Sequence, residues 1–494
     1  AALSAEAGAA SPTEPPAQDP RADADVVFGP AAAEALRAHF PGAVQIAPPR
    51  DEADWQRAVA QTAACLDHPD LFSEGVAIFG ACLVSDDGVR VRIDVITGGA
   101  RGLRLFKVRW ATVADEADVD TVALWTHVAA RCMLRLQGVG LLLVDTSFLY
   151  PGHGLYAGLL REVDLLPTLG SRPVAAWVVA MRQCERGPEP GATPGEHCGE
   201  RGGCAWGGHC GHHPQRQAGA TPLYARLEVL GRELGAELRA QGHQHLLSVP
   251  PERLSDARHR RMLHAVQHQQ AVCEPALAAS LNALAWPRRF LRLDTIGFAV
   301  PIWAGTRPYQ VLPFQWTCLQ QDAPGAALHT QHFLAEGRGD PRRALAEALL
   351  AALGEIGPVL AYNAGFERNR LRELALHFAD LAPALELVQA RIVDLFQLAR
   401  SGWYHPGQNG SWSFKAMARV VAPELAEIPL GLAGQTSAQA AFAATLQRHT
   451  PPAQSQTLRA QLLAEGERQA QVLHRMAGCF AQNSGGALPT HSLS

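Results

Sequence analysis

Lysine is almost absent from this chain of 494 residues. Lys107 and Lys415 are the only two, and every other fixed side-chain cation is an arginine. A surplus of positive charge is missing as well, because the formal net charge is −4. Such a chain is no general sponge for nucleic acid, so any contact with phosphates must be local. Long apolar runs are also missing. Runs such as 76–84 and Val139 to Val144 with its flanks are far too short to span a hydrocarbon layer of about 30 Å. No basic segment followed by an apolar core opens the sequence, so no signal peptide is read there. These absences predict a cytoplasmic chain that makes no membrane contact.

What is present reads as globular. Hydrophobic residues make up 47% and charged residues 18%, enough for two or three domains with their own cores. Residues 1–25 are Ala, Pro, Asp and Ser without periodicity and read as disordered. Helical patterns follow from Pro30 and around Trp55 to Cys65. Residues 76–84, 89–96 and 103–109 have strand character, and Asp86-Asp87-Gly88 forms a turn signal between the first two. Ala117 to Leu136 reads as a helix and 138–149 as a buried strand. A Gly-, Pro-, His- and Cys-rich stretch, 184–214, separates this part from a helical linker at 215–285. A second α/β pattern begins near residue 286 and ends in a helix at 456–482, leaving 483–494 as a flexible tail.

The second module carries a set of local signals. They are Phe290-Leu-Arg-Leu-Asp294, Gly305-Thr-Arg-Pro-Tyr309, Pro313-Phe-Gln-Trp316 and Asp340-Pro-Arg-Arg343. Then come Ala361-Tyr-Asn-Ala-Gly-Phe-Glu367, Arg391-Ile-Val-Asp394, Tyr404-His-Pro406 and Gly410-Ser-Trp-Ser-Phe-Lys415. Over 286–482 this set resembles the domain-of-unknown-function 2779 family (DUF2779), which is similar to ribonuclease-H-like, DnaQ-like exonucleases with four acidic residues. That resemblance implies two divalent cations, Mg²⁺ or Mn²⁺, held by carboxylates from several elements. The first strand of the family offers Asp-x-Glu, two acids on one face of a strand. This chain has Arg292-Leu293-Asp294 instead. Glu367 keeps the second motif. Where the last motif carries an Asp, this chain has Gln469, with Glu465 and Glu467 nearby. Asp294 and Glu367 are thus the residual acids, suited to one weakly bound Mg²⁺ or Mn²⁺ at most. A plainer reading makes Asp294, Glu367 and Asp394 strand-end residues that cap helices or pair with arginines. Tyr309, Trp316, Trp403, Tyr404 and Trp412 read either as a stacking platform for bases or as core aromatics.

The N-terminal module, 26–183, resembles the RecB- or Cas4-like nuclease fold of the PD-(D/E)XK type. That fold sets an Asp on one strand and Glu-x-Lys on the next. Here Asp94 is kept, while Lys107 stands at the Glu position and Arg109 at the Lys position. Gly80 occupies a further expected Glu position, and Trp125 that of a helix Gln. Two readings result: a phosphate-binding patch of Arg92, Lys107 and Arg109 around a residual Asp94, or a core Asp94 paired with an arginine. In the loop between modules, Cys198, Cys204 and Cys210 resemble the cysteine triplet of that family, which implies an iron–sulfur cluster; with His197 or Cys184 as the fourth ligand the set reads instead as a zinc site. A flexible loop with free thiols is the alternative.

The expected fold class is therefore α/β: a PD-(D/E)XK-like module and a ribonuclease-H-like module joined by a Cys/His-rich loop and a helical linker. The expected function is that of a degenerate nuclease-family protein, a pseudoenzyme that binds DNA or RNA or acts as a scaffold. Arg92, Lys107, Arg109, Arg307, Tyr309, Asn363, His405 and Lys415 are the candidate nucleic-acid contacts. The alternatives are an active metal-dependent 3′–5′ exonuclease that hydrolyses phosphodiesters, and a protein-interaction module with no nucleic-acid role.

Overall fold

The computed structural model describes residues 31–68, 76–99, 101–188, 191, 221–426, 437–447 and 450–482. The Cys/His-rich positions His197, Cys198, Cys204 and Cys210 lie outside the described residues. The chain divides into two units, Ala1–Pro214 with Gly297–Gln310, and Gln215–Ile296 with Val311–Ser494. Both are mixed α/β structures. No described helix is long and apolar enough to cross a membrane.

The first unit is built on a six-stranded sheet whose spatial order follows the chain. Its strands are β1 (Val44–Gln45), β2 (Ala77–Val84), β3 (Arg90–Gly99), β4 (Gly102–Arg109), β5 (Leu136–Val144) and β6 (Leu160–Asp164). β2, β3 and β4 pair antiparallel, as tight turns allow, whereas β4 and β5 are parallel. Parallel neighbours need a crossover, and helix α2 (Glu116–Arg131) supplies it; α1 (Glu52–Leu66) precedes β2 and α3 (Val174–Arg186) follows β6. Asp115 and Asp118 close a capping box at the start of α2, which satisfies amides that a helix leaves unpaired. This helix stops at Arg131, short of the expected Leu136, because Met133 adopts a left-handed conformation and turns the chain. One sheet face buries Ile78, Ile93, Ile96, Leu105 and Leu141 against Val122, Trp125 and Val128 of α2. The other covers Phe79, Val95, Phe106 and Leu142 with Leu36 and Phe40. Residues 297–310, which the sequence groups with the C-terminal module, pack into this unit. Phe298, Val300 and Trp303 are buried, and Tyr156 donates to the Pro301 carbonyl at 3.1 Å.

The second unit begins with helices α4 (Arg232–Ala240), α5 (Ala257–His268) and α6 (Pro275–Asn282), with the short strand β7 (Val272–Cys273) between the last two. Its main sheet runs β10-β9-β8-β11-β12, from β8 (Arg288–Ile296), β9 (Leu312–Gln321), β10 (Leu328–Leu334), β11 (Val359–Ala361) and β12 (Ile392–Asp394). β10, β9 and β8 form an antiparallel meander, and β8, β11 and β12 are parallel. Helices α7 (Arg342–Leu353), α8 (Gly365–His377) and α9 (Ala382–Ala390) connect β10 to β12, followed by α10 (Leu395–Gly402), β13 (Trp403–Tyr404), α11 (Phe414–Val421), α12 (Ala438–Thr445) and α13 (Pro452–Ala481). Alternation along β8 sorts the faces: Leu291 and Leu293 join Leu345, Leu349 and Leu371, whereas Phe290 joins Ala470, Leu473 and Phe480 of α13. α13 lies close to the sheet at Gly466, where a Cβ would stand 2.4 Å from Thr317 Oγ1 and 2.5 Å from Gln315 Nε2. β6 and β10 were not expected as strands, because LREVD and LHTQHFL lack apolar alternation. Both run at sheet edges with more than half of their residues exposed.

Candidate functional site

In the first unit Arg92, Asp94, Lys107 and Arg109 line one cavity of about 630 Å³ together with Phe79, Gly80 and Trp110. The sheet itself makes this recess. Ile78 and Ala81 of β2 share a core cluster while Phe79 belongs to the other, and in β3 Ile93 and Ile96 share a cluster while Val95 does not. Residues three apart on one face mean that both strands change phase between these points. The pairing register is the same on either side, so the two strands shift together. Gly80 carries the change with φ +71, and a Cβ there would stand 2.3 Å from the Arg92 guanidinium. Only glycine combines that backbone with room for the arginine.

The cations of this pocket differ in their ties. Arg109 forms ion pairs with Asp115 at 3.3 Å and the buried Asp118 at 3.1 Å, which anchors it to the start of α2. Lys107 Nζ lies 5.6 Å from the Trp125 ring centroid, a cation–π distance. Arg92 Nε is buried without a hydrogen-bond partner. Asp94 accepts from the Val108 amide at 2.9 Å. Tyr309 and Arg307 belong to this unit: Tyr309 donates to the Trp110 carbonyl at 2.5 Å, and Arg307 donates to the Ser147 carbonyl. Burial raises the Tyr309 phenol above its ordinary range, with Arg109 opposing. Cys184 is an exposed free cysteine on α3.

In the second unit β11 pairs in parallel with the first half of β8 and with β12; β8 runs on past it through Asp294, Asn363 follows the end of β11, and Asp394 closes β12. A bulge falls between Asp294 and Thr295, the kind of irregularity that re-aims a side chain. Asn363 takes a left-handed turn after β11, so α8 starts at once and Glu367 sits on its first turn. Arg292, Asn363 and Glu367 line a cavity of about 610 Å³ with Tyr362, Phe366, Phe396, Arg400, Trp412, Ser413 and Phe414. Arg400, Phe396 and Phe414 are members that the sequence reading missed. The i, i+4 spacing of Phe396 and Arg400 on α10 was the available signal.

The acids here are unequal. Asp394 Oδ1 accepts from the Asn363 amide at 3.0 Å and the Phe396 amide at 2.9 Å, capping α10. Glu465 is held by Arg468 and by Gln469 Nε2 at 2.6 Å. Gln469 Oε1 accepts from Arg292 Nε at 2.5 Å, and the Arg292 guanidinium lies 5.4 Å from the Phe414 ring centroid. Burial raises the Asp294 carboxyl, with Arg292 opposing and Glu465 adding. Glu367 is fully buried, and neither carboxyl oxygen has a hydrogen-bond partner. Its pKa is pushed up to about 7 by that burial, opposed by Arg292 and by its own backbone amide, and reinforced by Asp394 and Asp294. Among the described residues no group of three or more His, Cys, Asp or Glu is placed to hold a metal ion. Two hard cations want several oxygens turned to one point. Of the acids here, Asp394 and Glu465 are tied to hydrogen-bond donors, while Asp294 and Glu367 share the field of the Arg292 guanidinium.

The remaining candidates fall elsewhere. His405 is held in a short turn by the Gly407 amide, 3.0 Å from its Nδ1, and burial lowers its pKa. Lys415 is exposed on α11 and does not line the cavity. Trp316, Trp403 and Tyr404 are core residues; the Trp316 indole donates to the Leu345 carbonyl at 3.2 Å. Glu467 accepts from Thr330 at 3.1 Å, away from the other acids' partners.

Residues 289–413 match the family model described as Domain of unknown function (DUF2779). The matched stretch contains Arg292, Asp294, Asn363, Glu367 and Trp412, and also the segment 297–310 that packs into the first unit. No curated protein matches the chain. No solved structure matches it either.

Proposed function

We propose that this chain is a nuclease-derived protein that binds DNA or RNA through two former metal centres without two-metal hydrolysis. The observation that carries the reading is Arg292. It stands in the second cavity beside Glu367, fixed by Gln469 at 2.5 Å. A guanidinium there competes with divalent cations for the same negative field, at about 4 kcal/mol for unit charges 4 Å apart in a medium of moderate dielectric. The mixed sheet, with Asp294 on β8 and Asp394 on β12 on either side of β11, supports a ribonuclease-H-like reading of the second unit. The convergence of Arg92, Asp94, Lys107 and Arg109 in one cavity supports a PD-(D/E)XK-like reading of the first, now suited to phosphate rather than metal. The cytoplasm is the compartment this reading implies.

One test restores what is missing. Arg292→Asp combined with Gln469→Asp should raise Mn²⁺ affinity at least tenfold by titration calorimetry; unchanged affinity counts against the assignment. A second reading, an active 3′–5′ exonuclease, draws on the mutual influence of Asp294, Asp394 and Glu367. Mn²⁺-dependent degradation of labelled single-stranded DNA, abolished by Glu367→Ala, would establish it. Failure to bind any oligonucleotide at low salt would favour a protein-interaction role instead.

A further inference from the structure

The second cavity holds an acceptor and a donor that the fold leaves unused. Both oxygens of the fully buried Glu367 lack a partner, and so does the buried Nε1–H of Trp412. Both residues line the same cavity of about 610 Å³. Buried polar groups without partners are rare in folded proteins and call for an explanation. The walls are the rings of Tyr362, Phe366, Phe396, Trp412 and Phe414. Such walls suit a flat aromatic ligand, since rings stack well and without solvent between them. Arg400 also lines the cavity; it is exposed, 5.6 Å from the Phe396 ring centroid, and no ion pair of its side chain occurs among the described residues. The ligand that answers these features is flat, offers paired N–H donors to a carboxylate and one acceptor to an indole, and carries an anionic group at its solvent end.

We propose that this cavity binds the guanine base of a nucleotide, with Glu367 accepting the paired N–H groups of its Watson–Crick edge and Arg400 meeting its phosphate. The inference rests on the reading that the second unit still receives nucleic-acid components. A carboxylate accepts two parallel N–H bonds and donates none. Guanine alone among the common bases offers two adjacent N–H donors, at N1 and the 2-amino group, and its O6 is the acceptor for Trp412 Nε1–H. Adenine and cytosine place a ring-nitrogen lone pair against the carboxylate. Uracil offers one N–H between two carbonyls. Each wrong base leaves a buried charge unpaired, and sites built to hydrogen-bond a ligand discriminate strongly on that ground. The same chemistry serves a free mononucleotide or the terminal guanosine of a strand.

The test is titration calorimetry on the full chain in chelator, so that no divalent cation takes part. Guanosine 5′-monophosphate should bind at least tenfold more tightly than inosine 5′-monophosphate, which lacks the 2-amino group, and at least a hundredfold more tightly than the adenosine, cytidine or uridine monophosphates. Glu367→Gln should lose at least thirtyfold for the guanosine nucleotide. Arg400→Ala changes an exposed side chain and keeps the fold. It should lose about tenfold for the nucleotide while guanosine itself binds as before. Single-stranded oligomers ending in dG or dA separate the two sources: preference for the dG end without affinity for the free nucleotide assigns the site to strand termini. Equal affinity for guanosine and adenosine nucleotides, no binding of either form, or binding only with Mn²⁺ overturns the proposal. A chain that binds oligomers without base preference loses this assignment and keeps the nuclease-derived reading. A chain that hydrolyses them with Mn²⁺ loses that reading, and the guanine preference is then judged by the chelator titration alone.

Discussion

The two cavities are similar in size, and both sit where a strand pair departs from regular geometry, yet their acids are treated differently. In the first, three cations surround Asp94, and the acid accepts from a backbone amide of the neighbouring strand. In the second, a carboxyl is buried with both oxygens unpartnered, and the nearby Arg292 is held by a neutral amide. The first pocket is arranged to receive negative charge. The second keeps a carboxyl that the protein itself does not satisfy. The two sites thus differ in kind: one sets three cations around an acid, and the other sets a buried acid among aromatic rings, with Arg292 and Arg400 also on its lining.

Removing that acid's charge should give the largest effect. Glu367 has a folded pKa of about 7 against an ordinary 4.5, so between these values the native state binds more protons than the unfolded state. Stability from this group is greatest below about pH 4.5 and is lost as pH rises towards 7. Glu367→Gln abolishes the loss and should gain on the order of 3 kcal/mol relative to the parent at pH 8, with no gain near pH 4. Urea unfolding of both proteins at the two pH values checks this, and an equal difference at both would break the contrast between the pockets. Next comes charge reversal in the first pocket. Arg92→Glu with Lys107→Glu should weaken binding of a single-stranded oligonucleotide by about a hundredfold at low salt and reduce the log–log salt slope by about two. Glu367→Gln should leave that slope unchanged.

Smaller effects probe the backbone under each site. Gly80→Ala should destabilise the first unit by about 2 kcal/mol, because alanine disfavours the left-handed backbone and meets the Arg92 guanidinium. Asp394→Ala should cost about 1 kcal/mol through loss of the α10 cap. Thermal melts measure both. A loss at Asp394 as large as that at Gly80 would mean that its second bond, to the Asn363 amide, also holds the turn before Glu367.

Much of the framework was legible from pattern. Leu291 and Leu293 alternate with Phe290 and Arg292 along β8, and Asp86-Asp87-Gly88 marks the turn between β2 and β3. β6 and β10 were not legible, since solvent-facing edge strands carry no apolar period. Nor was the placement of 297–310. Its Phe298 and Trp303 signal burial, and local sequence does not say against which core. The site residues were legible from the local motifs that carry them. Their partners were not: Gln469 for Arg292, Arg468 for Glu465, Asp118 for Arg109.

The sequence by itself determined which side chains carry charge at each candidate site, because identity alone makes residue 292 or 107 a cation. It also determined where strands end and helices begin around Asn363 and Asp394, since turns and caps are local. Only the tertiary structure decided which of those charges are neutralised. Whether a carboxylate is paired, capped or left buried depends on groups that reach it from elements far away in the chain, and so does the raised pKa of Glu367.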